Sequence, residues 1–394
     1  MDPKLLMDVA AYWSHWGKAP PAGVPRTVVL PRELRPDLAL AIQGVRRCGK
    51  STLMAQLMRR YHLDRRRCMF VNFEDPRLAH LLDHTTLQAL VDVFEQERGR
   101  GGCTWFFDEV QHVDGWQRWL HAQLERPRDR RFVVTGSNSA LLSGELGSSL
   151  TGRHHLVELF PFDFAEYQRM VPDGSLSDYL AAGGFPATLN VPDGDRLLQG
   201  YFNDIIERDM RERVGARSTL PLRQLVQMVY ESAGSELSAR RVATAIGITD
   251  DTTALYLDAA ESAYLAFACP YFAWSARQRT ARHRKWYPID TGLRRATVTR
   301  TGTDRGKQLE CATFLALRRR FREVFHWRNG GEVDFVVLHD NKPLPVQVTW
   351  DKPQPRHHEA LDGFYAAHRD AHEAMFVTAA SFAAGMPDLP PSGG

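Results

Sequence analysis

The sequence predicts an α/β chain: a parallel sheet with helices on both faces, built around a phosphate-binding loop and followed by further helical and α/β modules. Three observations carry this. Gly44-Val45-Arg46-Arg47-Cys48-Gly49-Lys50-Ser51 fits G-x-x-x-x-G-K-[ST] without a gap. An apolar run, Leu38 to Ile42, precedes it, and a stretch with helical spacing, Thr52 to Met58, follows it. Downstream, short apolar runs ending in polar residues alternate with helical segments, the pattern of strands crossed over by helices.

The loop is read as an anion trap. Its backbone N–H groups and those of the following helix point at phosphate oxygens, where the helix dipole also favours negative charge. Residues Gly44, Val45, Arg46, Arg47, Cys48, Gly49, Lys50, Ser51 and Thr52 are the expected ATP-binding set. Lys50 is expected to reach the β- and γ-phosphates and Ser51 to hold Mg²⁺. Cys48 is either a modifiable thiol in the loop or a small filler.

Cys68 to Phe73 reads as a second strand and Leu87 to Phe94 as a helix. Thr104-Trp105-Phe106-Phe107-Asp108-Glu109 is an apolar strand ending in two acids. Asp108 is expected to bind Mg²⁺ with Ser51, and Glu109 to polarise the attacking water. Arg131 to Thr135 reads as the next strand. Asn138, or Ser137, beyond its end would sense the γ-phosphate. Arg153, before a further short strand, is the candidate arginine finger for a neighbour's site, or a plain surface arginine.

These residues, with Glu158-Leu159-Phe160-Pro161, resemble the AAA-type ATPases of bacteria and archaea. Gly183-Gly184-Phe185-Pro186, Asp204 to Asp209 and the region from Tyr287 to Val348 are similar to the branch carrying a C-terminal DUF4143 domain. The resemblance implies an AAA+ P-loop parallel sheet with a helical lid, ATP and Mg²⁺ as cofactors, and a ring-like homo-oligomer such as a hexamer.

The expected layout is a lead-in at 1–37, the ATPase core at 38–162 and the lid at 163–219. A winged-helix-like module follows at 220–280, a nuclease-like α/β domain at 281–382 and a tail at 383–394. In the lead-in, Asp8 to Trp16 is expected to be helical, and Thr27 to Leu30 is a strand or an extended approach. For the fourth module the signal is a capped helix, a Gly247 turn, a second helix and a hairpin formed by 265–268 with 270–272. A helical protein–protein module is the other reading. Arg240, Arg241, Arg277, Arg279, Arg282, Arg284 and Lys285 could meet DNA phosphates.

In the fifth module Glu310 on a helix and Asp334 on a strand match two acids of the restriction-endonuclease-like fold. Gln347 and Thr349 stand where that fold has Glu and Lys. A neutral amide binds Mg²⁺ poorly and Thr supplies no cation, so nuclease activity is not expected. Holliday-junction resolvases share that fold, which suggests branched DNA by analogy.

The net charge of +3 over 394 residues neither requires nor excludes a nucleic acid. The five cysteines are scattered without metal spacing, which suits a reducing cytoplasm. No apolar run reaches the roughly 18 residues of a membrane helix, and the first residues lack a signal-peptide pattern. The expected task is ATP-driven remodelling of, or translocation on, double-stranded DNA. The rival is an ATP-dependent signalling or toxin–antitoxin-like switch acting on a protein.

Overall fold

The structure is a computed structural model that describes residues 2–99, 101–125, 129–137, 152–299, 304–321 and 323–389. The chain divides into two compact units, Met1–Phe160 and Pro161–Gly394.

The first unit opens with helix α1 (Pro3–Trp13), capped by the Asp2 carboxylate on the Lys4 N–H. Leu6, Val9 and Ala10 lie on one face and are buried, which contributes about 1.5–3 kcal/mol for each large side chain. Strand β1 (Ala39–Gln43) leads into the loop and α2 (Lys50–Arg60). Then come β2 (Cys68–Asn72), α3 (His84–Arg98), β3 (Cys103–Asp108), α4 (Trp116–Glu125), β4 (Arg130–Gly136) and β5 (His154–Glu158). The five strands form one sheet in the order β2-β3-β4-β1-β5, with every pair parallel. Strands β1 and β3 are buried throughout, as strands covered on both faces must be.

The lead-in belongs to this unit. Thr27–Leu30 forms no strand. Instead Gln56 Nε2 donates to the carbonyls of Ala22 and Val24, each at 2.9 Å. The Trp13 indole donates to Asp75 and that of Trp16 to the Cys68 carbonyl. A buried ion pair ties α3 to β4: Arg130 Nε and Nη2 meet the two Glu95 oxygens at 2.6 and 2.8 Å.

The second unit begins with α5 (Phe164–Met170), α6 (Leu176–Ala182) and α7 (Gly194–Ile205). A π-helical turn at Ile206–Arg211 continues α7. The segment expected as a lid is built into this unit through Asp290. That buried carboxylate accepts from the Gly184 N–H at 2.6 Å and, as an N-cap, from the Leu293 N–H at 2.7 Å. A Cβ at Gly183 would come 2.1 Å from an Asp290 oxygen, so the Gly183-Gly184 pair is needed for this approach.

Next come α8 (Leu220–Glu231), β6 (Glu236–Leu237), α9 (Ala239–Ile246), α10 (Asp250–Ser262), β7 (Ala266–Cys269), α11 (Ala276–Thr280) and β8 (Arg284–Pro288). Strands pair in the order β6-β8-β7, antiparallel. The helix–turn–helix is as expected, with Ser238 and Thr249 as N-caps and Gly247 in the left-handed region. The hairpin differs. The partner of β7 is β8, beyond an insert at 270–283, while Tyr271 bridges to His326. Strand β8 carries Lys285 and Tyr287, residues of the expected nuclease-like domain.

The remainder is α12 (Thr291–Thr297), α13 (Arg305–Arg320), β9 (Phe325–Asn329), β10 (Gly331–His339), β11 (Lys342–Val348), α14 (Pro355–Ala367) and β12 (Met375–Val377). These last strands make a sheet in the order β12-β11-β10-β9, antiparallel except for the parallel pair β11 and β12.

Candidate nucleotide site

The carboxyl ends of β1, β2, β3 and β4 lie along one edge of the first sheet, with Asn72 level with Asp108 and Gln43 level with Gly136. In parallel α/β sheets this edge is where ligands bind. The loop leaves β1 there. Gly44 passes so near the Leu159 carbonyl that a Cβ would lie 2.0 Å from its oxygen. Gly49 is left-handed, with φ 101°, and no side chain caps α2. The first-turn N–H groups are thus left for an anion rather than a capping residue.

Lys50 is buried and turned onto its own loop. Its Nζ lies 3.0 Å from the Gly44 carbonyl, 3.4 Å from that of Val45 and 3.4 Å from Glu109 Oε1. Ser51 Oγ donates to Asp108 Oδ2 at 2.6 Å. Thr135 Oγ1 donates to the other Asp108 oxygen and accepts from the Glu109 N–H at 3.0 Å. Gln111 Nε2 donates to Glu109 Oε2 at 2.6 Å and reaches Ser137 Oγ at 3.4 Å. Glu109 itself holds a left-handed conformation, φ 54°, which turns its side chain at the strand end.

The two acids are set apart electrostatically. Burial, reinforced by the Glu109 charge, pushes the Asp108 carboxyl up. Burial also acts against ionised Glu109, but the Lys50 ammonium and the Gln111 amide outweigh it and hold Glu109 below its usual range. Glu109 is therefore ionised, and its oxygens can accept a hydrogen bond from water. A cation beside Asp108 would favour its ionised form.

The hard oxygens of Ser51 and Asp108, already side by side, fit Mg²⁺. When bound there, the ion would neutralise phosphate charge.

Other expected site residues fall into place unevenly. Burial pushes the Cys48 thiol up, away from thiolate reactivity, so the filler reading is the one the geometry favours. Arg47 takes a left-handed φ of 68° within the loop. Thr52 packs under the lead-in, where a Cβ on Gly23 would meet its methyl at 2.5 Å. Ser137 is buried beside Gln111, whereas Asn138 lies outside the described residues.

Arg153 is not brought to the site of its own chain. It precedes β5 at the amino end of the sheet, where its carbonyl accepts from Ala39 N–H. The length of β1, about 17 Å at ~3.3 Å per residue, separates that end from the loop. Its guanidinium donates to the Leu124 carbonyl at 3.1 Å and lies 3.6 Å from Glu125.

Besides Gln111, sequence reasoning missed four contributors. Thr135 joins both acids; its signal is a hydroxyl fully buried in an apolar strand. Arg26 in the lead-in donates to the Cys48 carbonyl at 2.9 Å and the Phe160 carbonyl at 2.6 Å, buttressing the loop. Glu74 and His112 form the third and fourth. Arg46 Nη1 lies 2.8 Å and His112 Nε2 3.6 Å from the same Glu74 oxygen. Mainly through His112, and then Arg46, Glu74 is drawn down to about 2, and His112 is raised by Glu74 in return.

In the second unit Glu310, Asp334, Gln347 and Thr349 do converge, lining a cavity of about 840 Å³ with Glu332 and Lys307. The cluster supplies its own cations. Buried Lys285 contacts Glu332 and lies 3.8 Å from Glu310 Oε1, and Lys307 Nζ is 3.1 Å from Glu310 Oε2. Tyr287 Oη donates to Glu310 at 2.7 Å. Gln347 uses both ends of its amide on β10, accepting from Asp334 N–H at 3.1 Å and donating to the Glu332 carbonyl at 2.9 Å. Burial, then the Glu310 charge, pushes Asp334 up to about 7.

The helix–turn–helix divides its charge. Asp251, Ala254, Leu255 and Asp258 on α10 are exposed, and α10 carries no basic residue. Arg240 and Arg241 are exposed on α9, Arg277, Arg282 and His283 along the β7–β8 connection, and Arg284 at the start of β8.

The first unit is thus an α/β P-loop fold with its nucleotide motifs assembled. Residues 37–168 match the AAA_14 family profile, described as an AAA domain, so this part of the chain is similar to AAA domains. Residues 173–304 match DUF8612, a domain of unknown function, which corrects the expectation of DUF4143.

An uncharacterized protein of Haemophilus influenzae is 28% identical over 340 residues, 82% of this chain and 84% of the relative. Another, from Methanocaldococcus jannaschii, is 28% identical over 369 residues, 86% and 80% of the two chains. Among solved structures, the Walker-type ATPase Paby2304 of Pyrococcus abyssi aligns with TM-score 0.42 and 15% identity, over 66% of this chain and 91% of that one. The Aeropyrum pernix ORC1 protein in complex with DNA aligns with TM-score 0.32 and 14% identity, over 66% and 86%. Among the described residues no helix is long and apolar enough to cross a membrane.

Proposed function

We propose that the chain is a Mg²⁺-dependent ATPase whose ATP turnover is coupled to binding and remodelling of double-stranded, including branched, DNA. The observation that carries the ATPase reading is the linked set Ser51–Asp108–Thr135 beside Lys50–Glu109. In this reading the loop N–H groups and Lys50 bind the phosphates. Ionised Glu109, oriented by Gln111, accepts the proton of the attacking water. Thr135 fixes the spacing of the two acids. Ser137 or Asn138 senses the terminal phosphate.

The DNA reading rests on the exposed arginines of α9 and the β7–β8 connection, which suit phosphate contacts. The acidic face of α10 is unsuited to a major groove, so contact through the connection is proposed. The restriction-endonuclease-like reading of the last sheet also belongs here, as a DNA-binding surface. A cutting role is no part of the proposal, because Lys285 and Lys307 already neutralise the acids. A homo-oligomeric ring in the cytoplasm completes the reading, with Arg153 available only to a neighbour's site.

One observation favours a second reading: Leu255, exposed between Asp251 and Asp258 on α10, suits a protein partner in an ATP-dependent switch. The discriminating experiment is the ATPase rate with and without linear and four-way duplexes over a salt series. Stimulation and binding that fade with salt support DNA; no binding at low salt refutes it.

A further inference from the structure

We propose that Arg46 is the catalytic cation of this site, acting in its own chain on the terminal phosphate, and that Glu74 and His112 hold it parked until the triphosphate arrives. The proposal rests on the ATPase reading above and deepens it.

Arg46 is the third residue of the loop whose backbone surrounds the phosphates, so its guanidinium starts from the site itself. Arg153, the residue expected to supply such a charge, stands at the opposite end of β1. Of the cations described above, Arg46, Arg47 and Lys50 belong to the loop; Arg47 is exposed, and Lys50 also faces Glu109.

The parking contact is specific. Arg46 Nη1 and Glu74 Oε1 are 2.8 Å apart, and the Arg46 side chain is only 13% exposed. Glu74 follows β2, and His112 sits in the turn directly after Glu109. Three elements along the carboxyl edge of the sheet are thereby joined through one carboxylate.

That arrangement permits an exchange at low cost. A phosphate offers the guanidinium more charge and a bidentate geometry, so it competes well with one Glu74 oxygen. Glu74 is 34% exposed, so water offsets part of the charge that Arg46 leaves behind. Here His112 stays 3.6 Å from the same oxygen and takes over. The raised proton affinity of His112 supports this role, since the imidazolium form pairs with Glu74.

In the hydrolytic step the water oxygen bonds to the γ-phosphorus as its proton passes to Glu109. The bond from that phosphorus to the β,γ-bridging oxygen breaks, and its electron pair leaves with ADP. Arg46 donates to the γ-phosphoryl oxygens while charge is redistributed among them.

The test uses the full chain with ATP, Mg²⁺, ATPγS, and ADP with aluminium fluoride. Arg46→Ala should lower kcat by about 100-fold or more while ATPγS affinity changes less than about threefold. Its affinity for ADP–aluminium fluoride should fall in parallel with kcat, and Arg46→Lys should recover part of both. Glu74→Gln, which frees Arg46, should lower KM for ATP. The proposal is overturned if Arg46→Ala keeps wild-type kcat, or if ATPγS binding is lost in proportion to kcat. Parking is overturned if Glu74→Gln raises KM. Absence of ATP turnover by the wild type would sink the ATPase reading itself and this inference with it, whereas normal turnover by both wild type and Arg46→Ala sinks the inference alone.

Discussion

Replacing Glu109 by Gln separates binding from chemistry, and the structure gives the sign of both effects. Glu109 Oε1 lies 3.4 Å from Lys50 Nζ, and both side chains are nearly buried. At an effective dielectric constant of about 20, that separation corresponds to an attraction of about 5 kcal/mol. The pair holds Lys50 against its own loop. An incoming phosphate must draw the ammonium away from Glu109 while approaching that carboxylate itself. Glu109→Gln removes the attraction and the repulsion together. If a quarter to a third of the pair energy is recovered on binding, ATP affinity rises about tenfold. The amide cannot take a proton from water, so turnover falls by about 10²–10⁴. Equilibrium binding of a fluorescent ATP analogue and phosphate release, measured on one preparation, read the two effects separately. Weaker binding, or turnover at the wild-type rate, would refute the assignment of Glu109 as the base facing Lys50.

Glu95→Ala leaves the Arg130 guanidinium buried without its carboxylate, and should cost about 3–5 kcal/mol, read as a lower denaturant midpoint for the first unit. Glu95→Gln should cost less, because a hydrogen bond to Arg130 survives. Asp290 gives a pH signature. Burial raises its carboxyl from 3.8 to about 6, so between these values the native form holds a proton that the unfolded form has lost. Stability from this group therefore falls as pH rises from about 4 to about 6, by about 3 kcal/mol, and is level above. In Asp290→Asn the Leu293 N–H keeps an acceptor and this fall should be missing from the profile of midpoint against pH. An unchanged slope would contradict the account.

The nucleotide loop and the Asp108-Glu109 pair are legible in the sequence because phosphate capture fixes both residue type and spacing along the chain. What surrounds them is not legible in that way. Arg46 and Glu74 meet across 28 residues, and Arg26 and the Phe160 carbonyl across 134. Nothing local in the sequence distinguishes these side chains from solvated charges. Thr135 sits in a strand that hydrophobicity alone identifies, and its hydroxyl becomes informative only when β3 and β4 are neighbours.

The same limit governs the second unit. Caps, glycine turn and helices of the helix–turn–helix are local features and are found where the sequence puts them. The hairpin is mispaired in sequence reasoning because β8 returns only after the insert at 270–283. Its Lys285 then reaches Glu332 from 47 residues away, so a cluster that reads as two acids with missing partners proves to contain a cation. Gln347 looks like an eroded ligand in the sequence and is a backbone clamp in the fold.

The central claim is that the first unit hydrolyses ATP with Mg²⁺ held at Ser51 and Asp108. Its most direct test is steady-state phosphate release from ATP by the purified full chain, with Mg²⁺ and with EDTA, beside Lys50→Ala. The account predicts turnover that requires Mg²⁺ and is abolished in Lys50→Ala. Turnover that persists in EDTA, or in the Lys50 variant, would contradict it.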